Sequence, residues 1–309
     1  MMKNSTRLLV VGGNGFIGHH IVNHALQLGW EVTSLDISSS ISHGEASSPV
    51  QHVVANITDS HSLKAALQNK SFEYVINCGG YIDHALFFHG GRNVFTVHFE
   101  GVLNLVENLN RDALKAFINI GSSDECGNAP APQVETQREA PISPYSLGKT
   151  AAAHFLQMLY RTESFPGTTL RLFLTYGPGQ DLHRFLPQII NACLKNQSFP
   201  TSRGEQLRDF CFVQDVVDAV FATFNCQSAR GEVMNISSGK PVSIRQVIET
   251  VQQLIGKGEP RFGEIAYRPG ENMELYADIS KARTLLKWKP KISLDQGLEK
   301  TIKWVKGNL

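Results

Sequence analysis

Short apolar runs alternate with amphipathic segments through the first half of the chain. The runs have the length and side chains of buried strands, and the segments between them repeat apolar residues at helical spacing. The predicted strands are residues 7–11, 31–36, 52–55, 74–78, 116–121 and 168–173. The predicted helices are residues 16–28, 60–68, 94–109 and 144–162. Regular alternation of this kind predicts an α/β fold, with a doubly wound parallel sheet of Rossmann type and helices on both faces.

The rhythm changes after the turn Gly177-Pro178-Gly179. Helices are predicted at residues 185–194, 216–224, 244–254, 279–286 and 294–305, with short strands and loops between them. We therefore predict one domain over residues 1–178 and a smaller C-terminal α/β lobe over residues 179–309. Residues 233–236 have the pattern of a strand that could rejoin the main sheet. Residues 38–49 are polar and rich in serine, which predicts a surface loop.

Composition narrows the function classes. The net charge of the 309 residues is +1, which gives no electrostatic basis for nucleic acid or an acidic membrane as a partner. No early run is apolar and long enough for a signal peptide or a membrane span, and the five scattered cysteines indicate reduced thiols. We expect a cytoplasmic protein. The eleven histidines include the helically spaced His20 and His24, but no third ligand is placed beside them, so we expect no metal site.

A glycine turn follows the first strand. Gly12, Gly15 and Gly18 lie between the strand and an amphipathic helix that begins at Phe16 and Ile17. Glycines let the backbone turn tightly and approach a pyrophosphate, and the helix N-terminus offers free N–H groups and the positive end of its dipole. The alternative is an ordinary glycine-rich turn. The strand–turn–helix context favours a dinucleotide site.

An acidic residue ends the second strand. The Asp36 carboxylate can accept hydrogen bonds from an adenosine ribose diol and would repel a 2′-phosphate, which favours NAD over NADP. The alternative is a turn or cap aspartate. We also expect cofactor contacts from Asn56 and Ile57, which follow the third strand, and from Gly79, which follows the fourth.

Tyr145 and Lys149 lie one turn apart on a predicted helix, so their side chains share a face. A tyrosine has an ordinary pKa of about 10, and a neighbouring ammonium lowers it by stabilising the phenolate. Such a pair can exchange a proton with a substrate oxygen. On spacing alone, a partly buried tyrosine beside a surface lysine is the better interpretation.

Ser122 and Ser123 follow the fifth strand, at the edge where parallel sheets bind their ligands. A serine hydroxyl there could hold the reacting oxygen against Tyr145. A cap or loop role is the alternative, and it is as good an interpretation for Ser123. Asp124 could act as a base. A solvated loop or helix-start position is slightly favoured for Asp124 and Glu125.

Several motifs occur in one order along nearly the whole chain. They are the glycine turn, Asp36, Gly121–Gly127, Pro144–Lys149, Tyr176–Gln180, Arg208–Phe210, Tyr267–Glu271, Ala277-Asp278 and Lys287–Pro290. Together they resemble the extended short-chain dehydrogenase/reductases, in the nucleotide-sugar epimerase/dehydratase/reductase group. Residues 184–210 further resemble 4-ketoreductases of the CDP-abequose synthase type, and residues 121–125 resemble those of the GDP-4-keto-6-deoxymannose reductase type.

The resemblance implies hydride transfer between NAD and C4 of a nucleotide-diphosphate sugar, with Ser122, Tyr145 and Lys149 as the catalytic group and Ser123 and Asp124 as further candidates. Lys149 would also hold the nicotinamide ribose. Arg208 and Arg268 would grip the diphosphate, with surface ion pairing as their alternative, and His84 would line the sugar side of the cleft. The resemblance also implies a homodimer through the helices at residues 94–109 and 144–162.

The reaction itself stays open. The first expectation is 4-keto reduction or C4 oxidation. The alternatives are C4 epimerisation or 4,6-dehydration with NAD retained, and, from another class, a cofactor-binding regulator without turnover. The chain also departs from the group pattern. Cys126 replaces a usual tyrosine, His98 and Leu174 replace usual asparagines, and Asn77-Cys78-Gly79-Gly80 replaces His-Leu-Ala-Ala. Asp36 itself favours an enzyme that keeps NAD, because many of the reductases use NADPH.

Overall fold

A computed structural model of the chain describes residues 5–38, 49–268 and 270–308. Within these ranges the strands are β1 (Arg7–Val11), β2 (Glu31–Asp36), β3 (Gln51–Val54), β4 (Tyr74–Asn77), β5 (Ala116–Ser122), β6 (Gly167–Leu172), β7 (Leu174–Tyr176), β8 (Ser198–Thr201), β9 (Leu207–Arg208), β10 (Phe210–Phe212), β11 (Val233–Ile236), β12 (Val242–Ser243), β13 (Glu259–Phe262) and β14 (Glu274–Leu275). The predicted serine-rich loop lies outside the described residues over positions 39–48.

The helices of the same ranges are α1 (Phe16–Gln27), α2 (Ser60–Leu67), α3 (Gly91–His98), α4 (Glu100–Asn108), α5 (Pro144–Glu163), α6 (Phe185–Leu194), α7 (Val213–Phe224), α8 (Ile244–Ile255), α9 (Ser280–Leu286) and α10 (Leu294–Gly307). The sequence predicts one helix over residues 94–109, whereas the structure divides it into α3 and α4. The break is at Phe99, whose φ of −107° and ψ of −62° lie off regular helix geometry. Its ring packs edge-on against Phe155 of α5. Apolar spacing continues across the break, so the pattern does not reveal it.

The main sheet has seven parallel strands in the order β3-β2-β1-β4-β5-β6-β11. Side chains of a strand alternate between its faces. In β1, Leu8 and Val10 pack against α1 and α7, whereas Leu9 and Val11 pack in the second core with α4 and α5. The predicted doubly wound parallel fold is confirmed.

A third core lies in the C-terminal part of the chain. It is formed by α6, α8 and α10 around Tyr176 and Phe212. Two sequence motifs serve this architecture directly. The Tyr176 hydroxyl donates to the Leu294 carbonyl at 3.2 Å, and the indole of Trp288 donates to the Asp215 carbonyl at 2.9 Å.

The chain crosses between its two parts more than once. Strand β11 returns from the C-terminal half to pair with β6, with Val233 opposite Thr169. The strand-like pattern at residues 233–236 is thus part of the main sheet. The division of domains at residue 178 stays a prediction. The carboxyl ends of β1, β4 and β5 meet at one edge of the sheet, beneath the loop that leads into α6.

Candidate active site

A cavity of about 660 Å³ opens at this edge of the sheet. Its lining comes from the glycine turn, the loop after β4, the end of β5, the first turns of α5 and the approach to α6. Several predicted site residues line it: Gly12, Gly15, Phe16, Ile17, Gly18, Gly79, His84, Ser122, Ser123, Asp124, Tyr145 and Lys149. These residues therefore converge on one space, although they are scattered along the sequence.

The glycine turn leaves no room for side chains at two positions. Gly12 has a φ of +76°, and a Cβ there would lie 2.9 Å from the Cys78 carbonyl oxygen. A Cβ at Gly18 would lie 2.1 Å from the Gly12 carbonyl oxygen. The N-cap of α1, Gly15, has no side chain that could cap the helix, and the first residues of α1 line the cavity, so N–H groups of this first turn are available to a ligand. This cradle fits a pyrophosphate.

Asp36 ends β2 next to the glycine turn, outside the cavity lining. Its carboxylate accepts the Asn14 N–H at 3.1 Å and the Ser34 hydroxyl at 2.6 Å. These bonds fix the carboxylate at the position from which a ribose diol would be bound in a dinucleotide fold. The residues present therefore fit the adenosine half of NAD.

Two further cofactor candidates lie outside the cavity lining. Asn56 is exposed, and its side-chain oxygen accepts from the Thr58 N–H at 3.0 Å in a local turn. Ile57 is buried, and its carbonyl accepts from Asn104 at 2.8 Å. Their roles as cofactor contacts stay predictions.

Helix α5 carries the candidate catalytic pair, Tyr145 and Lys149. The Ser143 hydroxyl caps it by accepting the Ser146 N–H at 3.1 Å, and Pro144 occupies the first turn, where its missing N–H is not needed. Tyr145 and Lys149 are then 4% and 7% exposed. The interpretation of a surface lysine is wrong. The Lys149 ammonium donates to the Ile120 carbonyl at 2.6 Å, at the end of β5.

Burial dominates the titration of both groups. It lowers the pKa of Lys149 to about 8, while Glu125 and Cys78 act in the opposite direction. Burial also raises the pKa of Tyr145, against a hydrogen bond to Ser122 that lowers it. The expectation that Lys149 depresses the tyrosine pKa is therefore wrong for the protein alone. The ammonium lies 6.0 Å from the centre of the phenol ring and is held by a backbone carbonyl.

His98 packs edge-on against Tyr145, with 4.9 Å between ring centres. Its Nε2 is 2.8 Å from the Tyr81 carbonyl oxygen, and burial together with Lys149 lowers the pKa of the ring to about 3. The imidazole is therefore neutral and adds no charge beside the phenol. A Cβ at Gly80 would lie 2.3 Å from His98 Cε1. His98 and Gly80 both depart from the group pattern. They depend on each other, because a side chain at position 80 would overlap the imidazole.

Asp124 and His84 face Tyr145 from the other side. His84 Nε2 lies 3.6 Å from the Asp124 carboxylate, and the imidazole packs edge-on to Tyr145 at 5.6 Å. Burial raises the pKa of Asp124, opposed by His84, Arg184 and Arg208. Ser123 is buried in the short helical turn Ser123–Cys126, which Ser122 caps. The helix-start interpretation of this segment is confirmed.

The predicted diphosphate arginines lie apart from the cavity lining. Arg208 is 9% exposed, and its guanidinium donates to Glu271 at 2.5 Å and to the Leu207 carbonyl at 2.8 Å. Arg268 is exposed. Their grip on a diphosphate stays a prediction. Asp209, between Arg208 and Phe210, is fully buried and accepts backbone N–H groups from Ser238 and Gly239, so this part of the motif is structural.

Arg184 and Arg171 were not named as site residues from the sequence, and Glu125 was expected only at a loop or helix start. Arg184 lines the cavity at the start of α6. Glu125 and Arg171 lie behind Ser122 with 0% and 1% of their surface exposed. An arginine inside the apolar run of β6 was a usable signal, because a buried cation needs a buried partner.

The described ranges contain neither a cluster of metal-ligating side chains nor a helix that could span a membrane. No three histidine, cysteine, aspartate or glutamate side chains there cluster as a metal site. None of the helices described combines the length and apolar content that crossing a bilayer requires.

Comparison with known proteins identifies what this arrangement is similar to. Residues 8–237 match the model of the NAD dependent epimerase/dehydratase family. A putative UDP-glucose 4-epimerase of Methanocaldococcus jannaschii is 29% identical, over 97% of this chain and 99% of that one. A dTDP-glucose 4,6-dehydratase of Xanthomonas campestris pv. campestris is 28% identical, over 96% of this chain and 92% of that one.

The fold comparison agrees. The crystal structure of a UDP-glucose 4-epimerase from Thermotoga maritima, solved with UDP-glucose, superposes with a TM-score of 0.89. It is 26% identical and covers 98% of this chain and 99% of its own.

Proposed function

The chain belongs to the NAD dependent epimerase/dehydratase family of enzymes, and we propose that it interconverts a nucleotide-diphosphate sugar and its C4 epimer, with NAD retained between turnovers. The carrying observation is that Ser122, Tyr145 and Lys149 lie in the same cavity as the glycine cradle. The relatives named above favour epimerisation over 4-keto reduction, which was the first expectation from the sequence. Net 4-keto reduction stays a prediction.

The residues divide the chemistry between them. NAD bound in this cavity would accept and return the hydride, and the positive charge of its nicotinamide would stabilise a nearby phenolate. Tyr145 takes the proton from the C4 hydroxyl and returns it to the C4 oxygen after the sugar has presented its other face. The Ser122 hydroxyl orients that oxygen. Lys149, held on the Ile120 carbonyl at 2.6 Å, supplies a fixed positive charge.

Dehydration across C5 and C6 is the second candidate. It requires an acid and a base near the sugar, and the Asp124–His84 pair lies in the cavity within 3.6 Å of each other. Burial raises the pKa of Asp124, which makes a protonated carboxyl more accessible near neutral pH. This pair favours elimination more than any other feature of the site.

A label at C4 separates the reactions. Purified protein would be incubated with UDP-glucose or dTDP-glucose carrying deuterium at C4, without added cofactor. Epimerisation leaves the label at C4 of the epimer. Dehydration moves it to C6 and brings a solvent hydrogen to C5. A reductase acts only on a 4-keto sugar and consumes added reduced cofactor.

The cofactor itself gives a parallel test. Mass analysis of the denatured protein should find NAD released in nearly stoichiometric amount. An empty protein that turns over only with added NADPH would contradict the proposal. Assembly into a homodimer through α3, α4 and α5 is part of the proposal, and sedimentation as a monomer at micromolar concentration would contradict that part.

A further inference from the structure

A cluster of buried charges lies directly behind Ser122. The Arg171 guanidinium is 3.0 Å from the Glu125 carboxylate, through Nε and Nη2, and Nη2 is also 3.0 Å from Glu139. Glu125 and Arg171 are almost completely buried, whereas Glu139 is partly exposed. Burying an ion pair has a large desolvation cost, and such pairs are often no more stable than apolar replacements. Stability alone therefore gives a weak reason for this cluster.

The Glu125 carboxylate connects this cluster of charges to Ser122. Glu125 Oε2 receives Arg171, and Glu125 Oε1 accepts the Ser122 N–H at 2.7 Å. A Cβ at Gly121 would lie 2.5 Å from Glu125 Oε1, so the residue before Ser122 leaves room for the carboxylate. The Ser122 hydroxyl in turn accepts the Asp124 N–H at 3.2 Å. The backbone and side chain of Ser122 are thus both fixed by this short turn.

We propose that Glu125 is a positioning residue for catalysis, clamped by Arg171 so that it sets the orientation of the Ser122 hydroxyl toward Tyr145 and places a fixed negative charge behind the Tyr145–Lys149 pair. The proposal rests on the proposed function, because it assigns Glu125 a role in the same hydride-transfer site. The role requires a fixed side chain, and Glu125 is fully buried within the short helical turn, not in a solvated loop.

The negative charge of Glu125 acts on both Tyr145 and Lys149. Glu125 raises the pKa of both Lys149 and Tyr145, whereas Glu139 is not among the groups that act on either. Cys78 is the other titratable group acting on Lys149. Asp124 and Arg184 also act on Tyr145, and the rings of His84 and His98 pack against it. Removing the Glu125 charge should therefore lower the pKa of both catalytic groups together.

The test compares Glu125→Gln with Glu139→Gln in the full chain with NAD bound. Each variant removes one carboxylate from Arg171, but only the first touches Ser122. A glutamine at position 125 must turn its NH₂ either toward the Ser122 N–H or toward Arg171. We expect kcat of Glu125→Gln to fall by up to roughly a hundredfold, with little change in KM. Both limbs of its pH profile should move to lower pH, and Glu139→Gln should keep the wild-type profile.

An amide spectrum gives a readout independent of turnover. In ¹⁵N-labelled protein with NAD, the Ser122 N–H should lose the downfield shift of a bond to a carboxylate in Glu125→Gln and keep it in Glu139→Gln. Unchanged kcat and pH profile in Glu125→Gln would overturn the proposal. So would equal losses in both variants that follow their melting temperatures. Wild-type protein inactive on every nucleotide sugar would contradict the proposed function alone, because the amide readout still tests the position of Glu125.

Discussion

The two walls of the cavity are built in different ways. The cofactor wall is mostly backbone, where Gly12 and Gly18 approach other main-chain atoms so closely that side chains are excluded. The catalytic wall is made of buried side chains, with Tyr145 and Lys149 in front and the Glu125–Arg171 pair behind. A position that excludes side chains can be recognised in the sequence as a glycine, whereas the pairing of two residues from distant segments cannot. The first wall is therefore easier to predict than the second.

Tyr145→Phe should have the largest effect on the catalytic wall alone. Without the phenol hydroxyl the sugar oxygen has no proton partner, so kcat should fall by roughly 10²- to 10⁴-fold while NAD stays bound. Steady-state kinetics and mass analysis of bound NAD measure the two quantities. Tyr160→Phe is the matched control, since Tyr160 lies on the same helix and is 39% exposed. Activity retained in Tyr145→Phe would remove the tyrosine from the mechanism.

Gly18→Ala should damage the cofactor wall instead. Its Cβ would meet the Gly12 carbonyl oxygen at 2.1 Å, and overpacking of this kind typically costs about 1–3 kcal/mol of stability. We expect a lower melting temperature and weak NAD binding by calorimetry. Gly307→Ala is the control, because a Cβ there meets nothing within 4 Å. Wild-type NAD affinity in Gly18→Ala would show that the turn does not bind the pyrophosphate.

Gly80 and His98 both line the cavity and are in close contact. A double-mutant cycle measures the energetic coupling between the two positions. Gly80→Ala alone should be strongly destabilised, because its Cβ would lie 2.3 Å from His98 Cε1 and its φ is +114°. His98→Asn should recover part of that loss, with a coupling energy of roughly 0.5–3 kcal/mol from denaturant unfolding. Backbone strain at Gly80 should keep the recovery incomplete. Strict additivity would mean that the contact is relaxed in solution.

The smallest effects are expected from the arginines outside the cavity. Arg208→Met should raise KM for the nucleotide sugar by roughly tenfold, because a charge-assisted bond to phosphate worth about 1.5 kcal/mol would be lost. The exposed Arg268 should matter less after the same substitution. Initial rates across substrate concentrations measure both. An unchanged KM in Arg208→Met would leave this arginine as the structural partner of Glu271.

The sequence predicted most of the fold because strands in a parallel sheet are short and continuously apolar. Strands β1 and β2 have the predicted bounds, and the candidate catalytic residues Ser122, Tyr145 and Lys149 line one cavity at the carboxyl edge of the sheet. The division at Phe99 and the partnership of Glu125 with Arg171 were not predictable in the same way. The first depends on packing against α5, and the second joins residues 46 positions apart. Neither leaves a periodic pattern.

The return of β11 to the main sheet limits how this chain can be divided. A gene ending after residue 178 would encode β1 to β7 without β11, which covers one edge of β6. The bared β6 edge would present unpaired N–H and C=O groups, which invite aggregation. The part of the chain after residue 178 therefore cannot be exchanged at one junction without removing a strand of the main sheet. Changes of substrate in such a chain are more accessible through single residues in the loops around the cavity than through exchange of a whole lobe.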